Sequence, residues 1–155
     1  GNTSSLHDGA AIAIVVSERM WQSLGKPPAL RLLASAAMGV AASAEGSAPI
    51  SAMEKLYARI NGFDRASVGV VEMGEVSAAQ AIAFVEGLGI DEAIVNPDGG
   101  TLARGHPLGA SGAVLVTRVF THLVRTKGNR ALRRGAVVQS AAGGLGLAAM
   151  FEAAT

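Results

Sequence analysis

The sequence predicts an α/β fold, a three-layer sandwich on a mixed sheet, from three observations. Short runs of β-branched residues alternate with segments of helical period along the whole chain. That alternation is the pattern of strands covered by crossover helices. The chain then closes on two apolar runs, 136–139 and 147–152, folded back around Ala141-Ala142-Gly143-Gly144, and this antiparallel pair makes the sheet mixed.

The elements follow in order. Residues 10–16, Ala-Ala-Ile-Ala-Ile-Val-Val, form a continuous apolar run and read as a buried strand. Ser17 caps a helix over 18–24, which Gly25 and Pro27-Pro28 stop. Residues 30–38 read as a long second strand, and the small polar stretch 39–47 as a loop. Pro49 opens a helix to about Ile60, with Ile50, Met53, Leu56, Tyr57 and Ile60 on one stripe; Asn61-Gly62 ends it. A third strand covers 68–72, and a helix covers 77–88 with Ala81, Phe84, Val85 and Leu88 inward. Residues 93–95 lead into a glycine-rich loop, and a helix over 111–126 follows. That helix is apolar nearly all round, which predicts burial inside a larger assembly.

Length predicts one domain, 1–155. Half the residues are hydrophobic and only 16% are charged, against about 25% in an ordinary soluble domain. The excess points to a face that meets another domain or subunit, in a homo- or hetero-oligomer. A net charge of +1 excludes the strong field of a nucleic-acid binder, and no such partner is expected. The basic run Arg125, Lys127, Arg130, Arg133, Arg134 reads as a solvated turn after a helix. There is no cysteine, hence no disulfide and no thiol nucleophile within this chain. The longest apolar run is far too short to span a bilayer, which needs about 20 residues. A cytoplasmic protein without a bound metal or covalent cofactor is expected. The start at Gly1-Asn2 reads as processed or excised from something longer.

Chemistry concentrates in Asn96-Pro97-Asp98-Gly99-Gly100-Thr101-Leu102-Ala103-Arg104-Gly105-His106-Pro107-Leu108-Gly109-Ala110-Ser111-Gly112. Glycine permits positive φ and close approach, while proline fixes φ. Such a loop holds His106 where a helix begins, a setting that suits an oxyanion or phosphate. His7 and His122 lack those surroundings and read as solvated or core residues. Gly144-Leu145-Gly146-Leu147-Ala148-Ala149 fits a dinucleotide fingerprint, but only six residues remain after it, too few for the helix and acidic residue that fingerprint requires.

Gly105-His106-Pro107-x-Gly109-x-Ser111-Gly112 resembles the histidine loop of thiolases. Gly1-Asn2-x-Ser4 with Asp8-Gly9-Ala10-Ala11 resembles the opening of the thiolase C-terminal half, and Gly143-Gly144-Leu145-Gly146 resembles the turn that closes it. The resemblance spans nearly the whole chain. It implies a five-stranded sheet with the last strand antiparallel, one half of a two-half fold. It also implies acyl-CoA as substrate and no cofactor beyond the coenzyme A thioester itself. The partner would be an N-terminal half or subunit carrying the nucleophile.

Within the resemblance, His106 matches the histidine that activates the nucleophile and donates into an oxyanion hole. Gly105, Pro107, Gly109 and Ser111 would shape the substrate loop, and Gly143, Gly144 and Gly146 a second oxyanion site. Two positions depart. Ser140 stands where the family places its acid/base cysteine, and a hydroxyl titrates far above a thiol. Gly74-Glu75-Val76-Ser77 matches a motif whose asparagine orients an oxyanion-hole water; Glu75 persists, while Gly74 has no side chain to hold that water. Glu75 reads equally as a charge at a helix start. Three functions stay open. They are an acyl-CoA acyltransferase acting at a 3-ketoacyl-CoA with altered acid/base residues, a ketoacyl-synthase-like condensing enzyme, and a non-catalytic partner subunit that binds acyl-CoA.

Overall fold

The computed structural model describes residues 2–126 and 134–154. Its sheet has four strands in the order β1-β4-β3-β2, with β1 at Leu30–Gly39, β2 at Val68–Met73, β3 at Arg134–Ala141 and β4 at Leu145–Ala153. β2 runs parallel to β3, whereas β4 is antiparallel to both β3 and β1, so the sheet is mixed as expected.

Alternate residues of the strands face opposite helix layers. Ala136, Val138, Ala148, Met150, Val71 and Met73 pack with Met53, Leu56 and Tyr57 of α2 (Ala48–Ala58) and with Phe84 and Leu88 of α3 (Ala78–Leu88). Val137 turns the other way, onto Leu115 and Val119 of α5 (Ser111–Phe120). Three layers result. Gly135 lets α5 sit close, because a β-carbon there would stand 2.8 Å from Val119 Cγ1 and 2.9 Å from Val70 Cγ1.

Local signals set the boundaries. Ser17 accepts from the Met20 N–H and caps α1 (Glu18–Ser23). Ser77 accepts from the Gln80 N–H at the start of α3, and Gly89 ends that helix at φ 61°. The loop expected over 39–47 holds a 3-10 turn at Ala42–Ser47. The helix expected over 111–126 changes character after Phe120, where Thr121–Arg125 winds as a π-turn. Only Ser111, Leu115 and Val119 of α5 are buried; its other residues are half-buried.

One strand is corrected. Residues 10–16 pair with nothing among the described residues, so the sheet has four strands rather than five. Ile12 is 85% exposed, Ile14 86% and Val15 93%. Apolar β-branched residues favour a strand only against a partner that completes the ladder and covers the side chains. Of the basic run, Lys127, Arg130 and Arg133 lie outside the described residues. Arg125 stacks on Phe120 and Arg134 on Phe63. No helix among the described residues is long and apolar enough to cross a membrane.

Candidate active site

His106 is half-buried, and its Nδ1 lies 2.6 Å from the Oγ of buried Ser111, the first residue of α5. Nε2 is thus the ring nitrogen left for a substrate. Two backbone devices hold the loop. Gly105 takes φ 88°, and a β-carbon there would overlap the His7 ring. The N-terminal strand-like segment runs alongside: the His106 N–H donates to Ser5 O at 2.9 Å, and the Ser4 N–H to Val76 O at 3.0 Å. Gly9 accommodates Pro107, whose Cβ would stand 2.7 Å from a β-carbon at Gly9. Leu108 follows at φ 40°, a left-handed conformation uncommon outside glycine. Gly109 lies beside it in a 3-10 turn with open space around it.

Leu6, His7, Asp8, Gly9, His106, Pro107 and Leu108 line an open cleft of about 630 Å3. That size falls within the usual range of small-molecule sites. His7 is exposed at the rim with Nδ1 3.2 Å from Ser5 O. A second depression, about 400 Å3, is bounded by Glu54, Tyr57 and Arg65. Those residues serve each other there, since Arg65 pairs with Glu54 at 2.6 Å and stacks on Tyr57.

The loop hangs from β2 by a polar frame. Asn96, buried and at φ 46°, accepts from the Met73 N–H at 2.7 Å through Oδ1 and donates through Nδ2 to Met73 O and to Glu75 Oε1. Glu75 Oε2 accepts the Leu102 N–H at 3.1 Å, and Thr101 Oγ1 donates to Glu75 O at 2.6 Å. Glu75 therefore caps the short helix α4 (Thr101–Arg104) that precedes His106. A β-carbon at Gly100 would overlap its carboxylate.

A buried charge cluster braces the loop from the α5 side. Glu72 is fully buried; Arg118 Nε donates to its Oε2 at 2.7 Å, His122 Nε2 lies 3.1 Å from Oε1, and Arg104 stands at 4.0 Å. Both guanidinium groups also donate to Gly99 O, and Arg104 to Asp98 O. Burial first, then the charge of Arg118, pull Arg104 below its ordinary value, opposed by Glu72, Glu75 and Asp98. His122 is thus a structural residue, and the same Nε2 lies 3.5 Å from Asp98 Oδ2.

Ser140 lies on the opposite face of β3. Its Oγ accepts from Gln80 Nε2 at 3.0 Å, while Gln80 Oε1 accepts from the Val76 N–H at 3.2 Å. Among the described residues no hydrogen bond joins Ser140 to His106. Gly74 donates its N–H to Val138 O at 2.9 Å at the end of β2. Gly143 and Gly144 form the β3–β4 turn at φ 88° and 86°. β-Carbons at Gly144 and Gly146 would overlap the Val40 and Ala48 carbonyls, so glycine there is also a packing requirement. No group of three His, Cys, Asp or Glu among the described residues could hold a metal ion.

Sequence reasoning missed Asn96, Gln80 and the Glu72–Arg118 pair. An asparagine opening a glycine-rich loop and a carboxylate inside an apolar strand were the available signals.

Comparison with known proteins places this geometry. The sequence profile described as thiolase, C-terminal domain, matches residues 26–153. An acetyl-CoA acetyltransferase of Shinella zoogloeoides is 39% identical over 152 residues, 98% of this chain and 38% of its own. A beta-ketothiolase of Cupriavidus necator is 36% identical, over 98% of this chain and 37% of its own. The crystal structure of the Bacillus anthracis acetyl-CoA acetyltransferase superposes with a TM-score of 0.90 at 29% identity, covering 99% of this chain and 38% of that one. An Ascaris suum thiolase solved in complex with coenzyme A gives 0.78 at 29% identity, covering 88% and 34%. The chain thus spans a little over a third of the length of the relatives it matches.

Proposed function

Since this chain belongs to the thiolase family through its C-terminal domain, we propose that it supplies the histidine half of a thiolase-type acyltransferase. The substrate is an acyl-CoA thioester, and the nucleophile comes from an N-terminal half or partner subunit. The observation that carries this reading is His106 at the cleft with Nδ1 against Ser111 Oγ. A hydroxyl can donate or accept. When Ser111 accepts, the proton is on Nδ1 and Nε2 is a base able to activate a thiol. When Ser111 donates, the proton is on Nε2, which can hydrogen-bond the thioester oxygen as it gains charge. Once Nε2 has taken the thiol proton, both ring nitrogens are protonated, so Nε2–H can donate to that oxygen while Nδ1–H stays on Ser111.

Gly105, Pro107 and Gly109 shape the loop, and the N–H groups of Gly143, Gly144 and Gly146 remain the proposed second oxyanion site. Glu75 acts by capping the loop rather than by moving protons, as its two loop contacts favour. Ser140 takes the acid/base position, but its hydroxyl is already engaged by Gln80. That favours slow Claisen-type chemistry relative to simple acyl transfer. It also gives a specific ground for the second reading, a non-catalytic subunit that binds acyl-CoA.

Thioester loss from acetoacetyl-CoA tests both readings. This chain alone should show none. Once joined to its completing half, it should turn over, and His106→Ala should lower the rate about 10²–10³-fold. Ser140→Ala should cost far less, and Ser140→Cys should raise label exchange at the substrate α-carbon. Acyl-CoA binding without turnover would select the partner-subunit reading.

A further inference from the structure

Gln139 is the half-buried residue of β3 next to Ser140. It was not among the residues the sequence singled out, and its side chain occupies a place the fold has cleared. It projects to the α5 side of the sheet. A β-carbon on Gly74 would stand 3.2 Å from Gln139 Cγ and 3.7 Å from Cδ. A β-carbon on Gly112 would meet a single atom within 4 Å, Gln139 Oε1 at 3.7 Å. The carboxamide thus bridges from the end of β2 to the first turn of α5, with glycine at both ends of its path. Gly112 directly follows Ser111, whose Oγ holds the His106 ring. Imidazole and carboxamide therefore flank the same helical turn. Neither glycine has a positive φ, so backbone conformation does not call for glycine at either place.

The carboxamide is also uncommitted. Asn96 and Gln80, the other carboxamides of the frame, use both ends in hydrogen bonds. Gln139 has no hydrogen-bond partner among the described residues, and it is only half-buried, so its N–H groups are free for a ligand or a water. A buried leucine or valine would have filled the same space against α5 without this polar end.

We infer that Gln139 is a catalytic residue of this site: its carboxamide donates to the substrate thioester oxygen, directly or through one water, beside Nε2 of His106. This rests on the thiolase-type reading above and assigns the donor that Gly74 cannot supply. It follows that Gly74 is glycine because the adjacent strand fills its side-chain space.

The test uses the assembled protein, this chain with its completing half, and acetoacetyl-CoA. Gln139→Leu keeps the volume and removes the donor. It should lower kcat about 10²-fold while leaving KM and the melting curve near those of the unsubstituted protein. Gln139→Ala should behave alike. Gly74→Asn placed on Gln139→Ala, where Cγ no longer obstructs it, returns a carboxamide from the neighbouring strand and should recover at least tenfold. A filler role would show neither the kcat-only loss nor the rescue. A Gln139→Leu enzyme within twofold of the unsubstituted one overturns the assignment alone. Should leucine prevent folding, an Ala variant that loses nothing, or that Gly74→Asn fails to rescue, overturns it equally. Absence of turnover in the unsubstituted assembly overturns the thiolase-type reading, and the assignment falls with it.

Discussion

Glu72 is the residue on which the loop frame depends most. Its carboxylate is fully buried and shared by Arg118, His122 and Arg104. Removing one partner of a buried pair leaves the other charges unpaired in a poorly solvated place, at a cost of about 3–5 kcal/mol. Glu72→Gln should therefore lower unfolding free energy by about that amount in urea titrations. It should also release Gly99 O, since both arginines lose their anchor. Glu152→Gln is the control. Its pair with Arg31 is 3.4 Å long and largely exposed, and such pairs contribute about 0–1 kcal/mol. Equal effects from the two substitutions would contradict this account.

At the scale of elements, the β3–β4 turn and the histidine loop use glycine differently. Gly146 sits against the Ala48 carbonyl at the start of α2, and a β-carbon would overlap it. Gly109 has open space and an ordinary φ. Gly146→Ala should push β4 from α2 and cost about 1–3 kcal/mol, the usual penalty of overpacking. Gly109→Ala should fall within about 0.5 kcal/mol of the parent. Thermal melts of the two variants check this. A neutral Gly146→Ala would mean that β4 and α2 are not in close contact. The same geometry limits redesign of the site: Gly74→Asn alone meets Gln139 Cγ at 3.2 Å, so an asparagine there needs Gln139 shortened first.

For the whole molecule, the balance of exposed and buried surface predicts association. Ile12, Ile14, Val15, Leu32 and Leu147 are all substantially exposed, more apolar surface than a free monomer usually presents. Light scattering across concentrations should show self-association, with hydrophobic dye binding; a clean monomer that binds no dye would refute it. Stability should also fall in alkali. Burial raises the Tyr57 pKa above its ordinary value near 10, outweighing the Arg65 charge that lowers it. A raised folded pKa means stability fully present below about pH 10 and lost as pH climbs through the folded value. Tyr57→Phe should remove that part of the alkaline loss and change little at pH 7. A Phe variant with the parent's full alkaline loss would show that Tyr57 is not the group responsible.

The sequence determined the α/β layering and the closing antiparallel pair, and it singled out His106 as the candidate for chemistry. These rest on short-range information: period, caps, and glycine and proline around one histidine. The cap of α1 fell at Ser17 as read, while Ser77, read as the first residue of its helix, proved to be the cap of α3. Only the tertiary structure decided the rest. Residues 10–16 carry a strand's composition, yet a strand forms only where a ladder partner exists, and none is present among the described residues. Glu75 lay equally between a water-holding role and a helix charge until folding brought it 27 residues along the chain to Leu102, where it caps a helix other than its own. Asn96, Gln80 and Gln139 are ordinary amides in the sequence. Their meaning depends on which face of which strand they share and on the glycine opposite, and pairing across long chain separations sets both.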